Sequence, residues 1–83
     1  MIEIFGKPGC PYCEKAKKLC ESRLLAFNYY TLGVEYTKEE LLEEFPGART
    51  VPQIRIGSQI IGTYDNLVTY LEETGYTGTG YSL

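Results

Sequence analysis

Pro11 fixes where the first helix of this chain can begin. Proline has no backbone N–H and holds φ near about −65°, so it fits the first position of a helix and breaks one further in. Here it stands in the run Cys10-Pro11-Tyr12-Cys13. Cys10 is therefore expected as an N-cap, with Cys13 one turn in and facing the core. Ile2 to Phe5 reads as a strand leading into the loop Gly6-Lys7-Pro8-Gly9. Beyond the second cysteine, Ala16, Leu19, Cys20 and Leu24 continue an apolar stripe at helical spacing, so the helix is expected to end near Leu25.

Phe27 to Leu32, with its aromatic and β-branched side chains, reads as a second strand. Thr37-Lys38-Glu39-Glu40 has the form of a capping box. It opens a short helix expected to bury Leu41, Leu42 and Phe45 and to stop at Pro46-Gly47. Gln53 to Ile56 and Gln59 to Ile61 flank Gly57-Ser58, a two-residue loop whose leading glycine suits a type II′ hairpin turn. A last helix is expected from about Asp65 to Thr74, with Leu67, Val68 and Leu71 inward and Gly75 as its stop.

The resulting order is β-α-β-α-β-β-α, an α/β class chain. A strand, a crossover helix and a strand pair in parallel, and the later hairpin adds antiparallel strands. One small four-stranded mixed sheet covered by helices accounts for the pattern. Residues 1–75 make a single domain, and the segment 76–83 (Tyr-Thr-Gly-Thr-Gly-Tyr-Ser-Leu) has no apolar periodicity and is expected to be mobile or loosely docked.

Composition removes most other chemistries. The 83 residues contain no histidine, which excludes Ser-His-Asp and Cys-His pairs, histidine bases and His-containing metal sites. A closed zinc site needs four ligands, and Cys10, Cys13 and Cys20 supply three, so no metal is expected. Eight Lys plus Arg against eleven Asp plus Glu give a net charge of −3, without the basic excess of a nucleic-acid footprint. The opening Met1-Ile2-Glu3-Ile4-Phe5 is too short an apolar run for a leader, and no segment is expected to span a membrane. A reducing cytoplasm is the expected location. There a close cysteine pair is more often catalytic or metal-binding than structural.

Two cysteines at this spacing can close a small disulfide ring. The N-terminal one also meets unsatisfied backbone N–H groups and the positive end of the helix dipole, both of which stabilise a thiolate. In such sites a thiol drops from about pKa 8.5 into the range of roughly 3.5 to 7.5. A pKa near 5 would lift the thiolate share at pH 7 from ~3% to ~99%. Cys10 is thus the expected attacking sulfur and Cys13 the resolving one. Cys20, seven residues after Cys13 on the same stripe, is either an inert core thiol or a third redox group.

At these residues the sequence resembles the dithiol glutaredoxins. The likeness rests on Gly6-Lys7-Pro8-Gly9-Cys10-Pro11-Tyr12-Cys13, on Phe45-Pro46-Gly47-Ala48-Arg49-Thr50-Val51-Pro52-Gln53-Ile54, and on Ile61-Gly62-Thr63-Tyr64-Asp65-Asn66-Leu67, and it covers roughly residues 1 to 74. The short acidic chain is also similar to glutaredoxins of T4-like bacteriophages, which would put it in a host cytoplasm. The resemblance implies a thioredoxin fold, with glutathione as reductant and co-substrate. It further implies disulfide-containing protein clients, ribonucleotide reductase among them, and a monomer.

Residue by residue, the resemblance implies a glutathione groove. Val51-Pro52 would be a cis peptide beside the cysteines, with Thr50 and the Val51 backbone pairing with the cysteinyl part of glutathione; the alternative is a trans proline starting an edge strand. Lys7 would meet a glutathione carboxylate or favour the thiolate, or else is simply solvated. Tyr12 would form one wall, or is a surface tyrosine. Tyr64 and Asp65 would offer helix N–H groups to the γ-glutamyl carboxylate and a carboxylate to its ammonium, while Asp65 is also a candidate N-cap. Gly62-Thr63 departs from the family's Gly-Gly, and a Cβ at Thr63 is expected either to crowd the backbone or to forbid φ > 0. Arg49 either adds positive charge near the groove or is solvated.

Charge is segregated, with five cations and two glutamates from Lys7 to Arg23 and five glutamates and one lysine from Glu35 to Glu44. A basic flank of that kind would attract anionic glutathione or an acidic peptide. Two other functions fit the same residues. One is an electron carrier reduced by thioredoxin reductase; the other is a dimer holding an iron–sulfur cluster through Cys10 and glutathione thiolates.

Overall fold

The computed structural model describes residues 1–76. Its elements are β1 (Ile2–Gly6), α1 (Pro11–Ser22), β2 (Phe27–Thr31), α2 (Lys38–Glu44), β3 (Gln53–Ile56), β4 (Gln59–Gly62) and α3 (Tyr64–Thr74). The strands form one sheet in the order β2-β1-β3-β4. β1 runs parallel to β2, with Ile4 opposite Tyr29, and antiparallel to β3, with Ile4 opposite Ile54. β3 and β4 are the expected antiparallel hairpin, turning at Gly57 with φ +60°.

Side chains alternate across a strand, so β1 feeds two cores. Ile2 and Ile4 point to one face, where they meet Ala16 and Cys20 of α1, Ile54 of β3, and Leu67 and Leu71 of α3. Phe5 points to the other, against Tyr36, Leu41 of α2 and Phe45 at the end of that helix. Helices α1 and α3 thus cover one face and α2 the other. On the α2 face Arg55 reaches Glu3 at 2.9 Å and Glu44 at 2.6 Å, tying β3 to β1 and to the end of α2.

Local chemistry explains most of the boundaries. The capping box is present: Glu40 accepts from the Thr37 N–H at 2.8 Å, and Thr37 Oγ1 accepts from the Glu40 N–H at 3.2 Å. Gly75 ends α3 in the left-handed region, with φ +64°.

The structure corrects several expectations. α1 stops at Ser22, and Leu24 is not on its apolar stripe: it is 91% exposed, with φ +57°. The Leu24 N–H bonds to the Glu21 carbonyl and the Leu25 N–H to the Cys20 carbonyl, a Schellman turn that swings Leu25 into the core in its place. Leu42 lies on the outer side of α2 and is 39% exposed, because the seven-residue helix buries Leu41 and sends its neighbour outward. Val68 is only half-buried, whereas Leu67 and Leu71 carry the inner face of α3. β2 ends one residue early, at Thr31, leaving Leu32 a single bridge to Tyr36. Tyr76 packs against the core, its ring 6.1 Å from that of Tyr70; the rest of the expected tail, 77–83, lies outside the described residues. Among the described residues no helix is long and apolar enough to cross a membrane.

Candidate active site

β1 delivers the chain to the site, and Gly6 is its last residue. A β-carbon there would meet the hydroxyl end of the Tyr29 ring and lie 3.0 Å from Cys13 Cβ, so glycine lets α1 start this close to the sheet without displacing Tyr29. The Tyr36 hydroxyl donates to the Gly6 carbonyl at 2.6 Å, and burial pushes that phenol up to about 12. It therefore remains a donor at any ordinary pH. Nothing in the spacing around Tyr36 signalled this bracing role, which depends on a loop folding back over 30 residues.

Cys10 is the N-cap of α1, in extended geometry, and Pro11 follows at the first helical position. Cys10 and Cys13 are joined as a disulfide with their Cα atoms 5.2 Å apart. The Cys13 N–H donates to Cys10 Sγ at 3.2 Å. Cys13 is wholly buried and Cys10 is 7% exposed, so Cys10 is the sulfur that an incoming group can reach. Cys20 belongs to the core, where burial, with Glu21 nearby, pushes its thiol up to about 11 and keeps it protonated.

The Val51–Pro52 peptide is cis, not a trans start to an edge strand, and the Val51 carbonyl oxygen lies 3.8 Å from Cys10 Sγ. Beside it opens a cavity of about 360 Å³. Tyr12, Thr50, Val51, Pro52, Tyr64 and Asp65 all line it, six of the residues singled out from sequence, together with Thr63. The rings of Tyr12 and Tyr64 stand 5.9 Å apart, and Lys15 Nζ sits 4.8 Å above the Tyr12 ring.

Lys7 is not in this cavity. It lines a neighbouring groove with Lys38 and Arg49, which meets the cavity at Thr50 and Val51. Asp65 is not an N-cap: α3 starts one residue earlier and Thr63 caps it. Nor is Thr63 strained. Its φ is −89°, and its N–H and hydroxyl both donate to Asn66 Oδ1, at 3.0 and 2.9 Å. The positive φ falls instead on Gly62, at +116°, where a β-carbon would meet Asn66 Oδ1 at 2.6 Å. Thr63, expected to crowd the backbone, instead lines the cavity and caps α3 without strain. Among the described residues no cluster of three or more Cys, Asp or Glu side chains could hold a metal ion.

A sulfur pair at a helix N-terminus, one member reachable and the other buried behind it, suits thiol–disulfide exchange. Comparison with known proteins decides the family, because the glutaredoxin family model matches residues 2–61. The chain belongs to the glutaredoxin family. This glutaredoxin is 39% identical over 66 residues to glutaredoxin 3 of Escherichia coli, covering 80% of each chain. The structure of reduced Escherichia coli glutaredoxin superposes with a TM-score of 0.76 at 34% identity, over 88% of this chain and 94% of that one. A buckwheat glutaredoxin–glutathione complex gives 0.65 at 29% identity, over 92% and 71%. The chain spans only 28% of the length of another relative, the hybrid peroxiredoxin hyPrx5 of Haemophilus influenzae, with 44% identity over the 69 matched residues. The fold is the thioredoxin fold, and this dithiol glutaredoxin is a thiol–disulfide oxidoreductase.

Proposed function

We propose that the protein reduces protein disulfides and glutathione mixed disulfides with glutathione as its reductant. The observation that carries this is the cavity of about 360 Å³ lined by Tyr12, Tyr64, Val51 and Pro52, reached from Cys10 through the Val51 carbonyl 3.8 Å from its sulfur. The buckwheat relative bound to glutathione supports the same ligand.

In the proposed reaction the Cys10 thiolate attacks one sulfur of a disulfide and the other sulfur leaves as a thiolate that takes up a proton. When the adduct on Cys10 is a client protein, the Cys13 thiolate attacks Cys10 Sγ, releases the reduced client and closes the Cys10–Cys13 disulfide. When the adduct is glutathione, a second glutathione thiolate attacks it and oxidised glutathione leaves. Two glutathiones likewise reopen the Cys10–Cys13 disulfide. Tyr12 and Tyr64 flank the bound tripeptide, and the Val51 backbone pairs with its cysteinyl residue. The free N–H groups of Tyr64 and Asp65 receive the γ-glutamyl carboxylate, and the Asp65 carboxylate its ammonium. Lys7, one groove away, meets the remaining carboxylate. The setting proposed is a reducing cytoplasm, the working unit a monomer, and ribonucleotide reductase one client, since that enzyme needs a dithiol donor in each turnover.

The coupled assay tests it. Oxidised protein should be reduced by glutathione with glutathione reductase and NADPH. Turnover with thioredoxin reductase and none with glutathione would overturn the proposal.

A further inference from the structure

The loop that presents Val51 to the glutathione cavity lies between α2 and β3 and belongs to no helix or strand. Among the described residues, no backbone–backbone hydrogen bond involves Arg49, Thr50 or Val51; the last one before them joins the Ala48 N–H to the Phe45 carbonyl. The polar contacts of this loop come from side chains. Gln53 Nε2 donates to the Thr50 carbonyl, three residues back, at 2.8 Å. The other is the long contact of Cys10 Sγ with the Val51 carbonyl, 3.8 Å.

Gln53 is itself well anchored. It is the first residue of β3, opposite Phe5 of β1, and at 8% exposure it is the buried polar side chain among the described residues. The sheet thus fixes one end of the tie, and the amide carries that fixed point across Pro52 to the loop.

Behind the loop there is room to retreat. A hollow of about 370 Å³ is lined by Phe45, Ala48, Thr50, Gln53 and Ile60 among others. Thr50 and Thr63 line this hollow and the glutathione cavity alike, so the loop is a partition with open space on both sides. Without its donor the Thr50 carbonyl would turn to water in the hollow and carry Val51 with it.

We propose that Gln53 is a positioning residue for glutathione: its amide ties Thr50 to the sheet and so holds the Val51 backbone where the cysteinyl part of glutathione pairs with it. Gln53 lines the hollow and not the cavity, and it acts through Thr50 and Val51. This deepens the proposed function and rests on the cavity taking glutathione.

The test uses the full chain. Gln53→Met fills about the same space and removes the donor. Gln53→Arg keeps N–H donors that reach the same carbonyl, with its charged end beside the open hollow. In steady-state reduction of a glutathionylated peptide, Gln53→Met should raise KM about fivefold with kcat within about twofold, and Gln53→Arg should return KM to within about twofold of the wild type. Alkylation of Cys10 by iodoacetamide, a small reagent that needs no groove, should stay within about twofold in both variants, which separates binding from thiolate formation. A second readout leaves glutathione out. Trypsin cuts after Arg49, exposed at the head of the loop, and under native conditions Gln53→Met should be cut there about tenfold faster than the wild type. A KM that Gln53→Met leaves unchanged, a rise that Gln53→Arg does not restore, or equal cleavage at Arg49 would overturn the positioning proposal. A wild type that turns over no glutathionylated peptide, with Gln53→Met still cut faster at Arg49, would count against glutathione as the ligand and not against the tie.

Discussion

The backbone N–H of Cys13 points at the Cys10 sulfur from 3.2 Å. The same helix turn that buries the second cysteine therefore supplies a donor to the first. With no histidine in the chain, the groups placed to favour a thiolate at Cys10 are this N–H and the α1 N-terminus, while Lys7 lies in the neighbouring groove.

That relation separates the roles of the two cysteines. Cys10→Ser is expected to abolish both protein-disulfide reduction and deglutathionylation. Cys13→Ser should lose the first by about a hundredfold or more and keep the second, because glutathione itself resolves the Cys10 adduct. Steady-state rates on an insulin-type disulfide and on a glutathionylated peptide check this; loss of both activities in the Cys13 variant would contradict the assignment.

Leu24 gives a stability prediction with opposite signs for its two possible placements. As an exposed residue in the left-handed region it is replaceable by glycine with a gain of about 1 kcal/mol. Were it a core leucine, Leu24→Gly would cost about 3 kcal/mol or more. Urea unfolding of the variant distinguishes them.

Cys20 predicts an alkaline loss of stability. Its thiol lies at about 11 in the folded protein against 9.0 unperturbed. Between those values the unfolded chain releases the proton and the folded one keeps it, so this contribution is complete below pH 9 and falls as pH rises. The loss should reach about 2 kcal/mol near pH 10.5. Comparing wild type with Cys20→Ala at pH 8 and 10.5, with the active-site disulfide intact, isolates it: the wild type should lose more by that amount.

Gly62 and Thr63 should answer differently to substitution. Gly62→Ala places a β-carbon at positive φ against Asn66, and a loss of about 2 kcal/mol is expected. Thr63→Gly removes one donor to Asn66 and should cost under about 1 kcal/mol. Since Thr63 imposes no strain, the same variant should change KM for a glutathionylated substrate by less than about threefold. Thermal melts and steady-state kinetics on the two variants read both effects.

Sequence carried the fold where local backbone chemistry decides it. Pro11 fixed the start of α1, Thr37 and Glu40 that of α2, and Gly57 and Gly75 the hairpin and the end of α3. It failed where two neighbours compete for one role. Leu24 and Leu25 both continue the apolar spacing, and only the Schellman turn, built on a leucine where glycine is usual, decides between them. At Gly62-Thr63 the expected conflict vanished because the positive φ sits one residue earlier. For the site, the cysteines and the cavity residues were legible from motif and resemblance. The separation of Lys7 from that cavity, and its grouping with Lys38 and Arg49, was not, because it arises from α2 packing beside the end of β1 across more than thirty residues of sequence.

In the proposed reaction Cys10 alone takes the glutathione. Cys13→Ser protein, treated with oxidised glutathione and digested, can be mapped by mass spectrometry for the adduct. One glutathione on Cys10 and an unmodified, buried Cys20 are expected. An adduct on Cys20, or none on Cys10, would contradict it.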